Sequence, residues 1–285
     1  MLNAFTVDFE DWYQGIELPF AEWSKHEPRI EKGLYKVAEL LAKHNQKATF
    51  FTLGWVGEKY PEMVKELSAA GHEFGSHSYS HEKVYRQSKE EFREEIRKTK
   101  AILESLTGSK VVSHRSPFFS ITSQCLWAFD ILAEEGYTID CSVSPIKTWR
   151  YGISTCPDEI FRIEGNGLIE FPVSRFKLFG KNWAIGGAYF RIFPYVFTSS
   201  GIKRRQNASA ANMFYIHPWE YDPQHPKIKF ERKAMITHYA RLGKTYPNTD
   251  KMLRQFRFNT VSNVINQYEK QHGIRSVSLN VLNDQ

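Results

Sequence analysis

Between residues 4 and 142, short apolar, β-branched runs alternate with longer segments of helical period. This alternation restricts the chain to folds built on a parallel sheet, either open or closed into a barrel. Strands are expected at 4–9, 48–55, around 72–76, 111–113 and 137–142. A helix is expected at 29–44, where Ile30, Leu34, Val37, Leu40 and Leu41 share one face. A second is opened by Pro61 and closed by Gly71, and a third runs over 89–106 with Phe92, Ile96, Ile102 and Leu103 inward. A fourth spans 123–135 and ends at Gly136. Beyond residue 145 the pattern loosens, and Pro145, Pro157, Pro172 and the pair Gly186-Gly187 punctuate shorter strands at 160–163 and 168–173. One more buried strand is expected at 212–217, followed by helices at 233–242 and 261–271. With no internal repeat, low-complexity tract or linker, residues 1–285 read as a single domain with an elaborated second half.

The polar residues Asp8, Glu10, Asp11, His77, His81, Arg115 and Asp140 all fall at or just past the carboxyl ends of expected strands. Parallel α/β folds build their sites there. In His77-Ser78-Tyr79-Ser80-His81 the two histidines would share a face if the segment were one helical turn, which suits two imidazoles to a zinc ion. A pair of surface or capping histidines is the alternative, although neither lies on an apolar stripe. Asp8-Phe9-Glu10-Asp11 crowds three carboxylates, which repel unless a cation or proton sits among them, or unless they cap a helix. Two histidines and a carboxylate form the ligand set of a divalent metal with an open water position. Arg115 can steady a carboxylate base through a bidentate pair. His217, closing an apolar strand, is either a neutral core histidine or a general acid, with Asp140 available to fix its tautomer or to serve as an ordinary turn former.

Composition excludes several classes. No run of about 18 apolar residues could span a bilayer, and the first residues lack the basic and apolar regions of a secretory signal, so a cytoplasmic protein is expected. Cys125, Cys141 and Cys156 are odd in number and form no C-x-x-C pair, which argues against a disulfide framework or a cysteine zinc site. The net charge of +6 is dispersed, with Lys203-Arg204-Arg205 the longest cluster. It suits a solvated surface or attraction to an anionic glycan or membrane face, and no nucleic-acid motif accompanies it.

In order along the chain, the acidic cluster, H-S-x-x-H, R-x-P, strand-end Asp140 and late His217 resemble the polysaccharide deacetylases, the nodulation-deacetylase-like carbohydrate esterases. The likeness covers about residues 4–220 and is densest over Gly71-His72-Glu73-Phe74-Gly75-Ser76-His77-Ser78-Tyr79-Ser80-His81. Trp12 and the segment from Gly186 to Tyr195 resemble a subgroup from exopolysaccharide loci, which would make about 220–285 a helical C-terminal extension. The resemblance implies a distorted (β/α)7 barrel. It also implies a divalent metal, zinc with cobalt or nickel as substitutes, that serves N-deacetylation of acetylated amino sugars. His77 and His81 would be ligands, Arg115 would steady the base, and His217 would be the acid with Asp140 behind it.

This chain departs from the family in two places. The family's first motif has adjacent aspartates, a base and then a ligand, where this chain reads Asp-Phe-Glu-Asp. Alignment on the adjacent pair makes Glu10 the base and Asp11 the ligand. Alignment on the alternation makes Asp8 the base and leaves Glu10 or Asp11 as ligand. Asp8 and Glu10 share a strand face and Asp11 does not unless the strand has ended; Asp8 as base with Asp11 as ligand is the reading adopted. A Trp usual four residues after the fourth motif's Asp is replaced by Ser144, so Trp12 or Trp219 would have to wall the acyl pocket. The expected substrate is an acetylated glycan of a bacterial surface or exopolysaccharide, anionic or lipid-linked, met in the cytoplasm or at the inner membrane face. Hydrolysis of a small amide or formamide, or glycan binding without catalysis, are the other readings.

Overall fold

The computed structural model describes residues 2–148 and 151–283. Its strands are β1 (Asn3–Phe9), β2 (Thr49–Thr52), β3 (Glu73–Ser76), β4 (Ser113–His114), β5 (Ile139–Asp140), β6 (Phe161–Ile163), β7 (Ile169–Glu170), β8 (Arg175–Leu178), β9 (Lys181–Ala184), β10 (Asn212–Ile216) and β11 (Ser276–Val277). The helices are α1 (Ile30–Lys43), α2 (Gly54–Lys59), α3 (Pro61–Ala69), α4 (Lys89–Thr107), α5 (Trp127–Glu134), α6 (Gly187–Ile192), α7 (Tyr195–Asn207), α8 (Arg232–Tyr239), α9 (Thr245–Gln255) and α10 (Val261–His272). No helix of the described residues is long and apolar enough to cross a membrane.

Nine strands form one sheet in the order β10-β1-β2-β3-β4-β5-β7-β6-β11. From β10 to β7 every neighbouring pair is parallel, giving seven parallel strands with helices outside them. β6 then runs antiparallel to β7, and β8 and β9 form a separate hairpin. No ladder joins β7 to β10 among the described residues. The gap is spanned by Ser174, whose hydroxyl accepts the Met213 N–H at 2.7 Å and whose carbonyl accepts the Ile185 N–H, and by one bridge between Gly186 and Tyr215. The result is a distorted, seven-stranded barrel-like sheet. Glycine is required at the closure: Gly186 has φ 125°, and a Cβ there would sit 2.7 Å from the Tyr215 carbonyl oxygen.

The elements follow from ordinary local chemistry. α1 buries Ile30, Leu34, Val37, Leu40 and Leu41 along one stripe. α4 starts at a reciprocal Ser88–Glu91 capping box and stops at left-handed Gly108. Every residue of β1 and β10 is buried, as expected for central parallel strands.

Some expectations fail for physical reasons. The strand expected at 48–55 ends at Thr52, because Gly54 opens α2 and its N–H bonds back to the Ser78 carbonyl. The hairpin β8/β9 and helices α7 and α9 were not anticipated. α7 buries Thr198, Ser199, Gly201 and Arg205 with a single aliphatic residue, Ile202, so it carries no apolar stripe to read.

Candidate active site

β1, β3, β4 and β10 deliver their carboxyl ends to one side of the barrel, and the site lies there. After Phe9 the chain turns at once, the Glu10 N–H bonding to the Asp8 carbonyl, so Asp8 and Glu10 both aim inward. Glu10 Oε2 lies 2.8 Å from His81 Nε2 and 3.9 Å from His77 Nε2, and all three side chains are buried. The two rings reach this position from an irregular loop, not a helical turn; Ser78 and His81 both take left-handed backbone at φ 60°. Nδ1 of His77 bonds to the Arg115 carbonyl at 2.7 Å, which leaves Nε2 turned toward Glu10. Burial pushes the His77 imidazole down to about 4, its neutral, ligating form. Burial works to raise the Glu10 carboxyl, but the charge and hydrogen bond of His81, with His217 and His77, outweigh it and bring it down to about 2.

These three residues fit a divalent cation. Their donor atoms lie within 4.8 Å of one another, and all three side chains are buried, one carboxylate and two imidazoles converging on one point. Asp11, the ligand adopted from the sequence, is directed elsewhere. Its carboxylate accepts the N–H groups of Trp12 (2.8 Å), Arg29 (2.7 Å) and Ile30 (3.1 Å), so it caps the start of α1 from outside that helix. Burial raises its carboxyl to about 6 despite those donors. The second oxygen of Glu10 accepts the indole N–H of Trp219 at 3.1 Å.

Asp8 meets Arg115, whose Nη1 donates to Oδ1 at 2.5 Å and to the Thr6 hydroxyl at 2.9 Å. The guanidinium is fully buried and lies over the Phe51 ring at 4.2 Å. It therefore fixes the orientation of the Asp8 side chain at the cavity.

His217 faces Asp8 from β10, with Nε2 3.7 Å from Asp8 Oδ2 and 3.9 Å from Glu10 Oε1. The partner of its Nδ1 is Glu220 at 2.6 Å, and Glu220 is in turn held by Arg191 at 2.6 Å. Burial alone would lower the imidazole, but the Glu220 hydrogen bond and the Glu10, Glu220 and Asp8 charges bring it up to about 9. Asp140 does not stand behind His217 as the sequence suggested. It accepts from Ser142 Oγ at 2.7 Å and pairs with His114 Nδ1 at 2.8 Å, inside the barrel wall. Sequence reading missed Glu220 and Arg191. Glu220 carried a local signal, lying three residues after His217 in His-Pro-Trp-Glu, whereas Arg191 lay inside the Gly186 to Tyr195 segment with nothing to tie it to Glu220.

A cavity of about 160 Å³ opens over Asp8, Glu10, His77, His81 and His217. Trp219 stacks on His217 with ring centroids 5.0 Å apart, while Trp12 is buried outside the cavity lining. Of the two tryptophans considered for the acyl wall, Trp219 alone lines it.

Residues 27–138 match the polysaccharide deacetylase family, and residues 141–266 match a domain of unknown function, DUF3473. A peptidoglycan-N-acetylglucosamine deacetylase of Bacillus cereus is 40% identical over 94 residues, 33% of this chain and 34% of that protein. This chain thus spans about a third of that curated relative's length. Among solved structures, a candidate polysaccharide deacetylase from Mycobacterium smegmatis matches with TM-score 0.65 at 17% identity, over 94% of this chain and 90% of the other. The allantoinase Puue matches with TM-score 0.60 at 16% identity, over 95% and 91%. At these identities the two structures bear on the fold, which they share. The family match over residues 27–138 takes in the strands and loops that carry His77, His81 and Arg115, so this part of the chain is similar to the polysaccharide deacetylases.

Proposed function

We propose that this protein hydrolyses the N-acetyl groups of amino sugars in a glycan, with a divalent metal held by Glu10, His77 and His81. The observation that carries the proposal is the meeting of that ligand trio with a carboxylate clamped on Arg115 and an imidazole clamped on Glu220, all in one cavity. A divalent ion bound there would supply a Lewis acid for the acetyl carbonyl and lower the pKa of water. Zinc is the ion expected, with cobalt or nickel as substitutes.

Asp8 is the general base. Arg115 binds one oxygen and fixes the rotamer, so the free oxygen accepts the proton of the attacking water. His217 is the general acid. The bond from Nδ1 to Glu220 keeps the ring protonated and directs Nε2 into the cavity, where it gives its proton to the departing amine. Trp219 serves both sides, stacking on His217 and donating to Glu10.

The proposed substrate is a bacterial surface glycan or its lipid-linked precursor, met in the cytoplasm or at the inner membrane face. The named activity of the Bacillus cereus relative supports an N-acetylglucosamine unit as the group recognised. The test is hydrolysis by metal-loaded protein, read as acetate from N-acetylglucosamine oligomers, as formate from N-methylformamide and as ring-opened product from allantoin. Hydrolysis of the oligomers alone is expected. Turnover of the small amides with none of the oligomers would overturn the reading.

A further inference from the structure

Between Glu170 and Glu220 the sequence contains no acidic residue, while seven Lys and Arg fall in residues 171–219. This stretch therefore carries more positive charge than the net +6 of the whole chain, and the remainder is close to neutral. Three of the seven are used inside the protein. Arg191 holds Glu220, Arg175 pairs with Asp158, and the buried Arg205 donates to the carbonyls of Arg175, Asp158 and Ala211. The other four, Lys177, Lys181, Lys203 and Arg204, are exposed, and none of them meets a carboxylate among the described residues.

The fold gathers these four cations around an exposed apolar tip. In the β8/β9 hairpin Lys177 stands opposite Asn182 and Leu178 opposite Lys181. Arg204 reaches over from α7 and donates to the Lys177 carbonyl at 3.0 Å, with Lys203 beside it in the chain. At the turn between the two lysines, Phe179 is 92% exposed. Its backbone is left-handed at φ 50° and is followed by Gly180 at φ 75°, a conformation that favours glycine or asparagine over a bulky aromatic residue. Val196, two turns before Lys203 on the same face of α7, is also well exposed. The stem beneath the tip is firm, because Phe197 packs edge-on against both Phe176 and Trp183. A Cβ on Gly201 of α7 would come 2.6 Å from the Phe176 ring, so helix and hairpin are in close contact.

An apolar groove on a protein partner would account for Phe179 but not for four unpaired cations. A soluble polyanion would account for the cations but not for the ring. A bilayer with anionic headgroups takes both, since an aromatic side chain is favoured at the boundary of headgroups and acyl chains and Lys and Arg are drawn to lipid phosphates. We propose that the β8/β9 hairpin and the adjoining face of α7 form a docking surface for an anionic lipid bilayer, with Phe179 entering the interface between Lys177 and Lys181. The surface does not depend on what the catalytic cavity hydrolyses. The chain runs from β9 through Gly186 to Gly187 and Ala188, which are walls of that cavity, so a hairpin seated in the bilayer keeps the cavity beside the membrane.

The test is cosedimentation of the full chain with phosphatidylcholine vesicles, with and without about one quarter phosphatidylglycerol, at low and at high salt. Binding to the anionic vesicles at low salt is expected to be at least tenfold tighter than to the neutral ones and to weaken as salt rises. Phe179→Ser should weaken it about tenfold, and Lys177→Ala with Lys181→Ala about thirtyfold, with unchanged circular dichroism since all three positions are exposed. Because Cys125, Cys141 and Cys156 are buried, Phe179→Cys can be labelled at the tip with an environment-sensitive fluorophore, whose emission should shift to the blue on anionic vesicles. Equal binding to neutral and anionic vesicles would overturn the proposal. So would undiminished binding by Phe179→Ser together with an unshifted label, the behaviour of a charge-only surface that takes a soluble polyanion such as heparin equally well. Acetate release enters none of these readouts, so failure of the deacetylase reading and failure of the docking surface are told apart.

Discussion

Three carboxylates sit within four residues, yet their surroundings assign them different work. Asp8 is spoken for by Arg115, Glu10 by two imidazoles, and Asp11 by the backbone of α1. Glu10→Ala is therefore expected to lose the metal. Asp11→Ala is expected to keep it and to lower stability by about 1–2 kcal/mol, the usual cost of a lost helix cap. Metal analysis and thermal unfolding of the two variants check this. The residue types at the site were readable because spacing and chemistry announce them. Which carboxylate turns inward was not, since that depends on the tight turn after Phe9 and on where α1 begins. Glu220 offers a second test at this scale. Glu220→Gln keeps the hydrogen-bonding shape but removes the charge that raises His217, so the imidazolium is lost at lower pH. The basic limb of the kcat/KM profile should move to lower pH and kcat should fall about 10²-fold, the lower end of general-acid contributions, with metal content unchanged. An unmoved profile would separate Glu220 from the acid.

At the scale of elements, helix α1 is positioned by contact as much as by its apolar stripe. Gly33 lies against the turn that carries Pro218, where an added Cβ would come 1.8 Å from the Pro218 carbonyl oxygen. Helix propensity favours Gly33→Ala by about 1 kcal/mol. The collision outweighs this, because overpacking of a tight contact typically costs about 1–3 kcal/mol and this one meets backbone that cannot rotate aside. The variant should be less stable in denaturant titration and less active, since Pro218 follows His217. His72, which precedes β3, gives a pH signature. Its Nδ1 accepts the Ala48 N–H at 3.2 Å, and burial, with Lys47 nearby, lowers the ring to about 4. The unfolded chain then binds the extra proton first, so this contribution is fully present above about pH 6.5 and is lost as pH falls from there toward 4. Stability should drop over that window by on the order of 1–2 kcal/mol, and His72→Asn should flatten the drop. Strongly periodic elements such as α1 and α4 were legible in the sequence. α7 was not, because its buried face holds a single aliphatic residue, Ile202, among two hydroxyl residues, a glycine and an arginine.

At the scale of the whole molecule, the seven parallel strands were foreshadowed by the alternation of strand and helix, whereas the closure was not. It is made by the Ser174 side chain and a glycine pair, neither of which has a periodic signal. The last third is stitched to the first: Gln46 donates to the Leu253 carbonyl and accepts the Phe258 N–H, and the Thr49 hydroxyl accepts the Val261 N–H. One cooperative unfolding transition is expected by near- and far-ultraviolet circular dichroism, and deletion of residues 245–283 should abolish it. Because His77 and His81 come from one end of the chain's order and His217 from the other, catalysis requires this closure. The central claim, that Glu10, His77 and His81 hold a metal which the glycan deacetylation needs, is tested most directly by metal content and acetate release measured together. Parent protein and Asp11→Ala are expected to bind one divalent ion per chain and to release acetate from triacetylchitotriose, while Glu10→Ala loses both. A Glu10→Ala protein that retained one ion per chain and its acetate release would contradict the account.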